Sequence, residues 1–159
     1  MGLDMYLNST KQTNHTLEQL KHLDERNDLS PTLPEAAPFL PLREYEYLKD
    51  VFSIFHEEAY WRKFNALHNW FVSNVQDGED ECQPHEVTQK HLTQLTATLA
   101  ATLETKDSSK LPPASGFFFG STEVDEYYWK EVKNTYKRLF ELATNFDWED
   151  KRLFYWSSW

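Results

Sequence analysis

Four prolines, Pro31, Pro34, Pro38 and Pro41, fall in the short stretch from Ser30 to Pro41. Each fixes φ at about −65° and removes an amide donor, so this stretch cannot lie inside a helix or a central strand. It is expected to be an extended connector. It divides the chain into an opening block and a main body beginning near Leu42, and residues 8–41 read as a variable appendage on a single domain spanning 1–159.

On the N-terminal side, Leu3, Met5 and Leu7 alternate with Asp4 and Tyr6, the period of a half-buried strand. Residues 15–27 carry Leu17, Leu20 and Leu23 at helical spacing behind Asn14, a capping residue. Residues 43–52 fit a helix or a strand equally. From Ser53 the pattern predicts one long helix to Val75, with Trp61, Phe64, Leu67, Phe71 and Val75 on its inner face. Asp77-Gly78 ends it, and residues 77–81 form an acidic loop.

Thr88 is placed to cap the next helix, whose spine is Leu92, Leu95, Leu99 and Leu103. Residues 106–113 read as a linker. Gly116-Phe117-Phe118-Phe119-Gly120 has the size of a buried strand. Thr122 and Asp125 resemble a capping box that opens a helix from Glu123 to about Asn145, with Val124, Tyr128, Val132, Leu139 and Ala143 inward. In the last residues Leu153, Tyr155 and Ser157 alternate with Phe154, Trp156 and Ser158, as in a final strand. The expected fold class is α+β, three or four helices packed on a small, mainly antiparallel sheet.

The core of such a fold has unusual material, since Phe, Tyr and Trp make up 16% of the chain and six residues are Trp. Rings serve a bulky core or a stacking pocket equally well. A formal charge of −10 argues against broad binding to a nucleic-acid backbone, which needs a basic face. Cys82 is the only cysteine, which excludes an intramolecular disulfide. The opening residues have no basic segment followed by an apolar one, as a secretory signal would, and no apolar run approaches a membrane span. Gly2 does not complete a myristoylation signal, because Tyr6 stands where Ser or Thr is required. A cytoplasmic protein is expected.

The densest polar cluster is Arg62, Lys63, Asn65, His68 and Asn69, next to Trp61. On a helix, Arg62, Asn65 and Asn69 share one face and Trp61, Asn65 and His68 an adjoining one. Together they offer a ring, amides that donate and accept, and cations for an anion, the needs of a nucleotide-like ligand. The competing reading is a solvated helix face beside a core stripe. His68 titrates near neutrality and is a candidate general acid or base, though a lone histidine beside an apolar stripe is more often a packing residue.

Ser121, after the glycine-flanked aromatic run, is a further candidate for anion contact. That run lacks the lysine of a P-loop, so its competing reading is a capped turn. Asp80, Cys82 and His85 do not match the ligand spacing of a zinc site, and no metal or cofactor is expected. No G-x-S-x-G, H-E-x-x-H or C-x-x-C occurs, so the reading leans away from an enzyme.

Four blocks carry a likeness: Met1 to Leu7 (MGLDMYL); Tyr60 to Lys63 with Asn65, His68, Trp70, Phe71 and Val72; Leu111-Pro112 with Ser115 to Ser121 (SGFFFGS); and Ser157-Ser158-Trp159. In this order they resemble a family of small proteins of unassigned role carried by bacteriophages and prophages. The likeness covers the opening and most of the chain from about residue 57 onward. It lapses between Asn8 and Phe55, where such relatives place strands and this chain has a polar helix and its proline connector. The resemblance brings no catalytic residues. It implies a phage accessory protein in the host cytoplasm, a non-catalytic binder of a host defence protein or of a small signalling molecule, serving counter-defence. The alternatives are an enzyme on a nucleotide or phosphorylated metabolite, with His68 as acid or base, and an acidic mimic of nucleic acid. The four blocks are expected to meet in space, with Trp159 packed near the 116–120 segment.

Overall fold

The computed structural model describes residues 2–11, 55–80, 82–116 and 119–159. The expected helix at 15–27, the proline connector and the ambiguous 43–52 segment lie outside the described residues. The described elements run β1 (Asp4–Lys11), β2 (Phe55–Arg62), α1 (Asn65–Asn74), β3 (His85–Val87), α2 (Gln89–Thr105), a single 3-10 turn (Ser108–Lys110), α3 (Glu126–Asn145) and β4 (Lys151–Ser158). The four strands form one sheet in the order β2-β1-β4-β3, with every pairing antiparallel. The α+β class therefore stands.

Alternation builds the sheet. Leu3, Met5, Leu7 and Ser9 are buried while Asp4, Tyr6, Asn8 and Thr10 are only half-buried. On β4, Leu153, Tyr155 and Ser157 turn inward and meet β1 in register, Leu7 opposite Tyr155 and Met5 opposite Ser157. β1 runs on to Lys11, so Asn8–Lys11 belong to the sheet rather than to an appendage. The inner face packs on Leu67 and Phe71 of α1, Leu92, Leu95 and Leu99 of α2, and Val132 and Leu139 of α3, all within one core. Phe71 and Tyr155 stack there with ring centroids 3.8 Å apart, a contact worth about 1 kcal/mol beyond the area it buries.

α2 forms as its leucine spine requires. The Thr88 hydroxyl accepts from the His91 amide at 3.2 Å, and the His91 ring accepts from the Thr88 amide at 3.3 Å. Lys106, at φ +54°, ends the helix in the left-handed conformation.

Three expectations are corrected. The long helix from Ser53 does not form among the described residues: Phe55–Arg62 is strand β2, and α1 starts only at Asn65. Trp61 shares a three-residue spacing with Phe64, but it obeys the strand period, buried together with Ala59 while Tyr60 and Arg62 are exposed. Pairing with β1, Met5 opposite Trp61, overrides the helical propensity of the glutamates and alanine in this segment. Second, Gly116, Phe119 and Gly120 of the 116–120 run belong to no strand, and the Phe119 amide donates to Gly116 O at 3.2 Å. Third, α3 starts at Glu126, because the Asp125 carboxylate rather than Thr122 accepts from the Tyr128 amide, at 2.9 Å. Val124 consequently precedes the helix and is exposed.

Candidate functional site

β2 ends in a backbone device. Lys63 sits at φ +57°, a left-handed conformation that costs a non-glycine residue about 1–2 kcal/mol. Its amide donates to Leu3 O at 2.8 Å, which ties the turn to the residue just before β1. Two glycines leave room for it. A Cβ on Gly2 would stand 3.0 Å from Lys63 Cε and 3.5 Å from Arg62 Nη2, and one on Gly120 would stand 3.3 Å from Lys63 Cβ. The opening block, the β2–α1 turn and the glycine-flanked run thus converge on one lysine.

Asn65 completes this corner. Its side-chain amide donates to Phe119 O at 3.1 Å and to Ser121 O at 2.9 Å, and the residue is 3% exposed. Both of its N–H groups are therefore spent on holding the 119–121 turn, so Asn65 positions the wall rather than reading a ligand through them. Ser121 Oγ accepts from the Glu123 amide at 3.0 Å and lies at the surface.

These residues border a cleft of about 360 Å³. Arg62, Lys63, Asn65 and Ser121 line it, together with Glu123 and Asp125 from the segment that leads into α3 and Tyr127 and Tyr128 from its first turn. The Arg62 side chain is 59% exposed, and its Nε stands 4.0 Å from Asp4 Oδ1, the outer limit of an ion pair. Such a contact holds a guanidinium weakly. Tyr127 donates its hydroxyl to Arg62 O at 3.1 Å, bracing the same turn from α3, and its ring is 50% exposed. Burial, with Glu131 and Asp125 nearby, raises its phenol above the ordinary range. Tyr128 donates to Leu111 O at 2.8 Å, and burial pushes its phenol up to about 12. Both tyrosines remain protonated donors at neutral pH.

The other two expected site residues lie elsewhere. Trp61 is 6% exposed and donates its indole N–H to Thr135 Oγ1 at 2.9 Å, so it belongs to the core and offers no free face to the cleft. His68 is 1% exposed. Its Nδ1 lies 2.7 Å from Tyr155 Oη, its Nε2 lies 3.0 Å from Asp80 Oδ1, and Phe119 meets its ring at 4.9 Å with the planes nearly perpendicular. The Asp80 contact is oblique, short of an aligned hydrogen bond. Burial lowers the pKa of His68 and the Asp80 carboxylate works against that shift. The helix-face grouping of Arg62, Asn65 and His68 fails because Arg62 is on a strand.

Tyr127 and Tyr128 were missed as site residues because a helix starting at Glu123 puts them past its first turn. A cap at Asp125 puts both in the first turn, facing whatever precedes it. A second hollow of about 430 Å³ lies between β2 and α3, lined by Glu57, Glu58, Glu131 and Arg138. Its surplus of carboxylates does not suit an anion, and Arg138 is tied to Glu58 O at 2.7 Å. Among the described residues no group of three or more His, Cys, Asp or Glu side chains is arranged to hold a metal ion, and no helix is long and apolar enough to cross a membrane. Trp159 meets Phe119 edge to face, centroids 6.1 Å apart, yet stays 45% exposed, which is half of the packing expected of it. The chain matches no protein-family model, no curated protein and no solved structure.

Proposed function

We propose that this is a non-catalytic binding protein whose cleft takes a small, planar, negatively charged molecule of the nucleotide type. The observation that carries the reading is the convergence of Arg62 and Lys63 on one hollow with the Tyr127 ring and the Ser121 hydroxyl. In a chain of net charge −10, these two cations give the cleft an anion contact beside an exposed tyrosine. The volume, about 360 Å³, falls at the small end of ligand pockets, which run from roughly 300 to 1,000 Å³. Following its resemblance, the protein acts as a phage or prophage accessory protein in the host cytoplasm, sequestering a small signalling molecule in counter-defence.

The enzyme alternative has less support, because its acid–base residue, His68, is turned into the core and does not border the cleft. The test is native mass spectrometry of the full chain purified from bacteria, followed by equilibrium dialysis against AMP. A bound small anion is expected, and Arg62→Ala should weaken AMP binding at least about tenfold, the loss of one charge-assisted hydrogen bond. The melting temperature should not move, since the side chain is 59% exposed. If Arg62→Ala binds AMP as the parent does, the reading is wrong. If it unfolds, Arg62 is a structural residue.

A further inference from the structure

The cleft is electrically divided. Arg62 and Lys63 reach it from the end of β2, and Glu123 and Asp125 from the segment before α3, two formal positive and two formal negative charges around one hollow of about 360 Å³. At these dimensions all four charges act on whatever enters, because salt screens only beyond about 8 Å at physiological ionic strength. A purely anionic molecule gains from the first pair and is repelled by the second. A ligand of opposite polarity at its two ends satisfies both.

The two carboxylates are not equivalent. Asp125 Oδ1 already caps α3 by accepting from the Tyr128 amide at 2.9 Å. Glu123 has its backbone held by Ser121 Oγ at 3.0 Å, and its exposed carboxylate forms no ion pair with a described residue. It is the acceptor left for a ligand.

The geometry points to a nucleotide whose base carries an exocyclic amine, its phosphate on Arg62 and Lys63 and its amino group donating to Glu123. This rests on the binding reading above and sharpens it. A base with a carbonyl at that position sets an acceptor against a carboxylate, and can donate to it only from the neighbouring ring N–H, which requires the base to shift. Adenine and cytosine types are therefore preferred over hypoxanthine and uracil types.

AMP and IMP form the deciding pair, since they differ at one edge of the same ring: an amine beside a bare ring nitrogen in AMP, a carbonyl beside a ring N–H in IMP. Isothermal titration of the full chain should give AMP binding about tenfold or more tighter than IMP, the usual size of a hydrogen bond to a charged group. Glu123→Gln should bring the two within about twofold, because a glutamine amide turns its donor or its acceptor to the ring. Arg62→Ala should weaken both alike. Equal binding of AMP and IMP by the parent protein, still sensitive to Arg62→Ala, overturns the amine preference and leaves the anion site standing. Tighter binding of IMP overturns it as well. If neither nucleotide binds at millimolar concentration, the anion site and the amine preference fall together.

Discussion

His68 Nδ1 lies 2.7 Å from the hydroxyl of Tyr155, joining α1 to β4 through two side chains that are both buried. The direction of that bond follows from its surroundings. Nε2 faces the Asp80 carboxylate at 3.0 Å, which favours the ring proton on Nε2 and leaves Nδ1 as the acceptor. Burial raises the Tyr155 phenol well above its ordinary value, which keeps it protonated as the donor.

A pH dependence follows. Burial holds the pKa of His68 below its unfolded value of about 6.5, so the unfolded chain binds the extra proton first. The stability tied to neutral His68 is fully present above about pH 6.5 and is lost as the pH falls from there toward the depressed folded pKa. Thermal melts from pH 8 to pH 5 should show a declining midpoint below pH 6.5. In His68→Gln, which keeps an amide between Tyr155 and Asp80 but does not titrate, that decline should be smaller. Parallel profiles for the two proteins would assign the decline to other groups.

Trp61 and Thr135 lead to a second expectation. The indole N–H of Trp61 donates to Thr135 Oγ1 at 2.9 Å with both residues buried, fastening the edge strand β2 to α3. Thr135→Val keeps the shape and removes the acceptor, stranding a buried donor at a cost of about 1–3 kcal/mol. Urea denaturation should show that loss without a change in slope. Adding Trp61→Phe to Thr135→Val should cost less than Trp61→Phe does in the parent, since the donor is then absent. Strict additivity would mean that the bond contributes nothing.

What could be read in advance followed from periods that nothing interrupted. β1 and β4 keep strict alternation, Leu3-Met5-Leu7 and Leu153-Tyr155-Ser157, and α2 keeps its leucine spine behind Thr88. β2 was hidden because its alternation is broken. The register with β1 shifts between Leu7 and Asn8, which pair with Ala59 and Glu57, and Glu58 is the residue left over. Such a bulge turns two successive residues to one side. Glu58 and Ala59 are accordingly both buried, and Glu58 Oε1 accepts from Ser9 Oγ at 2.7 Å. A buried glutamate next to an alanine resembles helix more than strand when only periods are counted. At the site, the sequence pattern groups Arg62, Lys63 and Asn65 with His68 on a helix that does not include Arg62, and offers Ser121 only as a separate candidate after the aromatic run. Arg62, Lys63, Asn65 and Ser121 meet through the left-handed turn at Lys63 and the Asn65 clamp, and neither has a sequence period.

That turn supports a last prediction, made at Gly120. Gly120 has φ +88°, and an added Cβ would stand 3.3 Å from Lys63 Cβ and 3.5 Å from Lys63 O. Gly78 is the natural control, with φ +85° and nothing within 4 Å of an added Cβ. Each glycine-to-alanine change forces a side chain into a backbone region it disfavours, at about 1–2 kcal/mol. Only Gly120→Ala also presses on Lys63. Lys63 has little freedom to yield, because its own φ is +57° and its amide is held by Leu3 O at 2.8 Å. Gly120→Ala should therefore cost about 1 kcal/mol more than Gly78→Ala, and it alone should weaken AMP binding by displacing the lysine. Denaturant midpoints and nucleotide titrations on the two variants check both effects. Equal losses of stability with unchanged affinity would show that the fit of Lys63 between Gly2 and Gly120 is incidental to the cleft.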